Sequence, residues 1–402
     1  MLFDPERHEP CATTPWREAA ARDAIARIVR DAEAGFVDGR GWPVHPRDED
    51  PGDDPMARAQ HSLYLGSTGV IWALRYLRDR GAAMLVRDYA PFAQAALALN
   101  HATLGDDPAA RRSYLLGDVG VLMLQHALRP DAATLAQLAA LVEANLDHPG
   151  RELMWGAPGT MLAALFLHER EGDVRWAELF RRSARTLESQ LEWSEELACA
   201  TWPQALWGRT SHMLDAVHGF VATASVLIRG RGLLEADEWA RWQACIETTI
   251  RATAIVEDGR ATWRTDLNEP ATTWKRLMQF CHGAPGFVIC LADLPGAALD
   301  DLLVAAGEAT WQAGPLRKGS NLCHGTAGNG YAFLKLHART GDAIWLDRAR
   351  AFAMHSIAQC DAEAAAVGRP RHSLWTGDVG LAIYLHDCLR VRAEFPTLDV
   401  FF

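Results

Sequence analysis

Two Cys-His-Gly triplets, Cys281-His282-Gly283 and Cys323-His324-Gly325, each run through a second glycine, Gly286 and Gly328, into an apolar stretch. Thiolate sulfur together with imidazole nitrogen is a donor set that zinc takes, and three protein donors leave a fourth position open for a substrate. Cys281, Cys323 and His324 are therefore read as the donors of one Zn2+. The plain alternative is two core thiols, since unpaired cysteine is among the most buried residue types. Two thiolates neutralise the dication, so such a zinc is a weak activator of water and suits a different task. A thiol bound at the open position loses its proton near neutral pH and stays nucleophilic.

The triplets belong to a repeat. Apolar residues, then Gly-x-x-Gly, then about ten apolar residues recur seven times, with first glycines at 66, 117, 156, 219, 283, 325 and 377. The fourth copy carries Ala222 in place of its second glycine. Spacings of 39 to 64 residues leave room for two helices per unit. Runs such as Met161 to Leu167 are apolar all round, which predicts helices buried on every side. Between them, Arg175 to Arg182 and the series Leu135, Leu138, Leu141, Val142 and Leu146 are amphipathic at helical spacing, as outer helices require. The pattern predicts an all-α fold, an α/α toroid of about seven helix pairs with no exposed end repeat. The glycines at 66, 117 and 377 read as scaffold. The acidic, proline-bearing stretch from Pro43 to Pro55 reads as a surface loop. No linker divides the chain, so one domain is expected over residues 1–402.

Register turns sequence into position. Cys281 and Cys323 each stand two residues before the first glycine of their copy, so both face one end of the ring. His218, His282 and His324 stand directly before it in three consecutive copies, which packing alone does not explain. Adjacent residues such as Cys323 and His324 cannot both point one way from a regular helix or strand. A turn ahead of Gly325 would aim both at one ion.

Composition narrows the partners. A chain of 402 residues with 49% hydrophobic and 23% charged residues has ample material for a large core. A formal charge of −11 argues against a phosphate-binding surface, so no nucleic acid is expected. No 18-residue apolar stretch is present to form a transmembrane segment, and the N-terminal residues lack a signal pattern. Eight cysteines without framework spacing fit thiols in a reducing compartment, so a cytoplasmic protein is expected.

At these residues the sequence resembles the lanthionine synthetase C-like (LanC-like) family, the cyclases of lanthipeptide biosynthesis and their stand-alone relatives. The resemblance is carried by Phe280-Cys281-His282-Gly283-Ala284-Pro285-Gly286, by the run from Leu322 through Cys323-His324-Gly325 to Leu334, by His218-Gly219 and by Ser373-Leu374-Trp375-Thr376-Gly377. Through the seven copies it covers about residues 60 to 390. It implies an α/α toroid with one catalytic zinc on Cys281, Cys323 and His324. The activity it implies is addition of a thiol to dehydroalanine or dehydrobutyrine in a peptide or protein, giving a thioether. His218 is implied as the acid/base that protonates the enolate, a task an imidazole can perform near neutral pH.

Lanthipeptide cyclases have an aspartate four residues before the first glycine of the third copy, where this chain has Glu152. Several have tyrosine where it has His282. Both positions resemble the stand-alone branch, and both residues are placed in the catalytic group. That branch binds glutathione, which makes glutathione a second candidate donor beside a peptide cysteine. Lys318 matches a basic residue associated with glutathione contact, and Arg369 or Arg371 would supply another. Trp263, ahead of the first triplet, is placed at the mouth of the site.

Other readings stay open. A glutathione or peptide sensor with a structural zinc would need a fourth protein ligand. Zinc-dependent thiol alkylation of the prenyltransferase type shares the thiolate chemistry. A glycosidase needs a carboxylate pair at the ring mouth, and Glu152 stands alone in register. No kinase-like or lyase segment is present, so the substrate is expected to arrive already dehydrated.

Overall fold

Each first glycine of the repeat is the residue before a buried helix. The computed structural model describes residues 1–48, 59–206, 208–270 and 272–402. Numbered along the chain, the even helices are α2 (Ser67–Asp79), α4 (Asp118–Leu128), α6 (Ala157–Glu171), α8 (Phe220–Arg229), α10 (Ala284–Leu291), α12 (Thr326–Thr340) and α14 (Asp378–Arg390). The odd helices are α1 (Glu18–Ala34), α3 (Ala90–Leu104), α5 (Ala132–Ala144), α7 (Val174–Ser189), α9 (Ala236–Thr253), α11 (Asp300–Ala313) and α13 (Ala343–Val367). The even helices form the inner ring and the odd ones the outer, as the alternation of apolar and amphipathic runs predicts.

Burial follows the sequence pattern. Every residue of α10 is buried, and so is α12 from Thr326 to Leu336. By contrast α7 buries one stripe, Trp176, Ala177, Leu179, Phe180, Ser183, Ala184 and Leu187, and leaves its arginines and glutamates outward. Four of the outer helices start on side-chain caps: Asp131, Asp173 and Asp342 accept from the first turns of α5, α7 and α13, and Glu235 with Glu238 forms a capping box on α9.

Inner helices start differently. The first N–H groups of α12, from Thr326, Ala327 and Gly328, donate to the carbonyls of Gly319, Ser320 and Asn321 in the helix's own entry loop. The loop therefore lies directly on the first turn. A Cβ at Gly328 would collide with the carbonyl oxygen of Leu322. That contact is the physical reason for the second glycine of the repeat.

Backbone bonds link the entry loops around the ring. Cys281 N–H donates to Cys323 O at 3.1 Å, Cys323 N–H to Trp375 O at 2.9 Å, and Trp375 N–H to Tyr64 O at 3.4 Å. The last of these joins the seventh copy to the first, and α14 packs on α2. The ring is closed, with no end repeat.

Three antiparallel hairpins, β1 (Glu192–Ser194) with β2 (Cys199–Thr201), β3 (Gln204–Leu206) with β4 (Arg209–Ser211), and β5 (Ile255–Glu257) with β6 (Arg260–Thr262), fill the two longest spacings, on either side of Gly219. Strands of three residues are too short to show alternation in sequence.

The bore of the ring is filled by the segment after α14. Phe395 stacks on Phe280 at 4.5 Å and packs on Tyr331 and Trp375, while Phe401 packs on Trp72, Tyr114 and Phe166. Tyr114 and Trp72 donate to the carbonyls of Thr397 and Phe401.

Two expectations change. The segment that begins at Pro43 is not simply a surface loop: Trp42 and His45 beside and within it are buried, and residues 49–55 lie outside the described residues. Trp263 does not line a mouth. It is buried, donates to Ile250 O and stacks face to face on Phe287 at 4.3 Å, so it serves packing.

Candidate metal centre

The entry loops of α10 and α12 bring Cys281, Cys323 and His324 together, with one ligand atom from each lying within 4.8 Å of the others. The sulfurs are nearly enclosed, at 6% and 3% exposure, and His324 is half-buried. A turn does place the adjacent pair on one target: Asn321 Oδ1 accepts from His324 N–H at 3.0 Å, and Leu322 to His324 form that turn. On the other side Gly283 holds φ at +105°, a conformation that L side chains rarely adopt. It lets the chain swing from Cys281 into α10.

Two thiolates side by side repel, and the sulfurs resolve this unequally. A hydrogen bond from Cys281 holds Cys323 well below the usual thiol range, while burial pushes Cys281 well above it. A divalent cation relieves the same repulsion by taking both sulfurs as thiolates. Two sulfurs and a nitrogen, buried and mutually close, fit zinc.

Beside the sulfurs stand two histidine–carboxylate pairs. His218 Nδ1 lies 2.7 Å from Glu152 Oε2. Glu152 is fully buried and also accepts from the backbone N–H groups of Met154, Trp155 and Gly156. It reaches the site through His218. Burial works against the imidazolium, yet the hydrogen bond and charge of Glu152, with the charge of Asp215 behind, hold His218 above the ordinary imidazole range.

The second pair is His282 Nδ1 with Asp215 Oδ2, at 3.0 Å. Asp215, also fully buried, accepts from Val217 N–H and His218 N–H, so it shapes the turn that presents one histidine while orienting the other. Burial raises its carboxyl, but the charge and hydrogen bond of His282 outweigh that and hold it below the usual range.

Asp215 escaped the sequence reading, although it stands four residues before Gly219 as Glu152 stands before Gly156. Glu152 is thus not the one carboxylate in register. Neither carboxylate faces open space, however, so the two do not form a glycosidase pair. Gln279 and Asn321 occupy the same position in the next two copies, and each also bonds into its own turn. Tyr64 was missed too. It stands two residues before Gly66, the register of the sulfurs, and its hydroxyl donates to Cys323 Sγ at 2.8 Å.

His218 and His282 line a cleft of about 570 Å³ whose walls include Arg209, Asp266, Glu269 and Lys275. A second cleft, of about 410 Å³, lies against the first and seventh entry loops and is lined by His45, Ser67 and Arg371, among others. Arg371 is paired there with Asp48. Arg369 donates to Val44 O at 2.7 Å and does not line either cleft; Lys318 is exposed and lines neither. Asn329 and Tyr331 are buried and bonded to Met278 O and Asp387.

Comparison with known proteins places this arrangement. The family profile described as lanthionine synthetase C-like protein matches residues 57–399. The Danio rerio protein named glutathione S-transferase LANCL1 is 38% identical over 130 residues, 31% of this chain and 32% of that protein. The Arabidopsis thaliana LanC-like protein GCL1 is 40% identical over 90 residues, 20% of this chain and 19% of that protein. The alignments thus span about a third and a fifth of those relatives. The solved structure of nisin cyclase superposes with a TM-score of 0.61 at 14% identity, covering 94% of this chain and 99% of that one. It shares the toroid.

Proposed function

We propose, from the premise that this chain belongs to the lanthionine synthetase C-like family, that it adds a thiol to dehydroalanine or dehydrobutyrine residues of a peptide or protein with zinc as its cofactor. The observation that carries the reading is the convergence of Cys281, Cys323 and His324 beside the His218–Glu152 pair. Cys281, Cys323 and His324 would hold the zinc, which would supply acidity to a bound thiol while leaving its sulfur nucleophilic. The rest falls to the chain's own side chains.

The sulfur forms a bond to Cβ of the dehydro residue, the C=C pair moves to the carbonyl as an enolate, and Cα takes a proton. No atom is lost. His218, whose hold on its proton is strengthened by Glu152, delivers that proton. His282, oriented by Asp215, lines the same cleft and offers a second imidazole through which the thiol proton leaves.

The cleft beside these histidines takes the dehydrated segment. Glutathione and a peptide cysteine both fit as the donor, and the name of the Danio rerio relative favours glutathione. Of the cations expected for the donor's carboxylates, Arg371 alone lines a cleft, where it is paired with Asp48, while Lys318 and Arg369 line neither. Among the described residues no helix is long and apolar enough to cross a membrane, and the eight cysteines are unpaired, which supports a cytoplasmic setting.

The test is direct. Zinc-loaded protein, glutathione and a dehydroalanine peptide should yield the adduct mass. Cys323→Ala should lose both metal and product. His218→Ala should keep the metal and lose the product by about 10²-fold or more. Product formation unchanged by either substitution would sink the proposal.

A further inference from the structure

Each sulfur of the cluster receives a hydrogen bond from a buried hydroxyl or amide. Tyr64 donates its hydroxyl to Cys323 Sγ at 2.8 Å, and Gln279 donates its amide Nε2 to Cys281 Sγ at 3.0 Å. We propose that Tyr64 and Gln279 are positioning residues that set the electron density of the two sulfurs and, through them, how strongly the metal acidifies the incoming thiol. The proposal rests on the zinc reading above and extends it to two residues outside the donor set.

A neutral thiol is a weak acceptor, so an O–H directed onto one sulfur and an N–H onto the other suit the state in which a metal would hold both as thiolates. Both donors are held from several sides. The ring of Tyr64 stacks on Trp375 at 5.4 Å, its N–H donates to Leu115 O, and its carbonyl accepts from Trp375 N–H. Gln279 is bridged to His282 by two backbone bonds of 3.0 Å. Tyr64 comes from the first copy and Cys323 from the sixth, so this contact exists only because the ring closes.

A hydrogen bond to a metal-bound thiolate withdraws charge from sulfur and leaves more positive charge on the metal. With two thiolates already neutralising the dication, that remainder decides how far a bound thiol's proton affinity falls. One donor per sulfur restores acidity that the second thiolate removes. Imidazoles in place of sulfur would achieve the same acidity but favour water as the ligand.

Tyr64→Phe deletes one hydrogen bond and keeps the stacked ring; Gln279→Leu deletes the other and keeps the backbone bridge. Both are read in cobalt(II)-substituted protein by the sulfur-to-cobalt charge-transfer band. The band should move to lower energy in each variant and further in the double variant. On titration with glutathione, the pH at which the thiol enters the cobalt sphere should rise, and metal affinity should fall about ten-fold per deleted bond. Folded variants whose spectra and thiol-entry pH superimpose on those of the parent overturn the proposal while leaving the zinc reading intact. A parent with no sulfur-to-cobalt band removes the zinc reading and this proposal with it. Should Tyr64→Phe fail to fold, Gln279→Leu decides alone.

Discussion

His218 has its proton affinity set by a neighbour from another copy. Glu152 sits before α6 and His218 before α8, and the bond between them spans 66 residues of sequence. A histidine whose folded pKa is raised adds stability that is fully present below its unfolded pKa and is lost as pH rises through the folded value. The same raised value keeps the imidazolium available for proton delivery further into the alkaline range. Replacing Glu152 by Gln reverses both effects. The amide presents an N–H to Nδ1, which must then accept, and the imidazolium loses its partner. The NMR titration midpoint of His218 and the alkaline limb of thioether formation should both move to lower pH in Glu152→Gln, with zinc content unchanged. A limb that stays in place removes Glu152 from the proton's path. At this scale the sequence was only half legible. Cys281, Cys323, His324 and His218 announce themselves because their residue types are rare in a repeat of apolar positions. Asp215, Gln279 and Tyr64 do not, because aspartate, glutamine and tyrosine have many structural uses, and their partners lie 67, 2 and 259 residues away. Only alignment of all seven copies on their first glycines singles them out.

Helices were the most legible element, for a physical reason that also yields a test. An inner helix needs an apolar run and a first turn bare enough for its own entry loop to cover, and both requirements leave marks in sequence. The hairpins and the segment after α14 have no period and left none. Since the entry loop of α12 carries Cys323, the glycine that receives the loop also governs the site. In Gly328→Ala the new methyl meets the backbone of Leu322, which cannot rotate away as a side chain would. The loop must shift, and Cys323 with it. Overpacking of this kind costs about 1–3 kcal/mol. Gly232→Ala is the control, since a Cβ there meets nothing within 4 Å. Denaturant midpoints and zinc retention under a chelator should both fall for Gly328→Ala and stay at parental values for Gly232→Ala. A stable Gly328→Ala protein that keeps its zinc would show that the loop and the helix are not tightly coupled.

At the scale of the whole molecule, a ring of seven inner helices leaves an axial space that apolar side chains must fill. The segment after α14 fills it. Its residues touch side chains of α2, α6 and α12 and of the entry loops ahead of α4, α10 and α14, a set that only an axial position can reach. Polar anchors fix its depth: Lys335, buried in α12, pairs with Asp399 at 3.0 Å and with Asp293 at 2.6 Å. The upper end of this plug is Phe395, stacked under Phe280, and Phe280 is the neighbour of Cys281. Metal donors and ring core therefore share one packed cluster. Phe395→Ala leaves a cavity among Phe280, Tyr331 and Trp375, which costs about 3–5 kcal/mol for a buried phenylalanine. Part of that loss should appear at the metal, because Phe280 and Trp375 can then move and they carry the positions of Cys281 and of the carbonyl that Cys323 bonds. The variant should unfold at lower denaturant and release zinc faster to a chelator under conditions where the fold is intact. Filling the void with a small apolar ligand such as benzene should slow that release. Faster unfolding with parental zinc release would mean that the plug supports the ring and not the site.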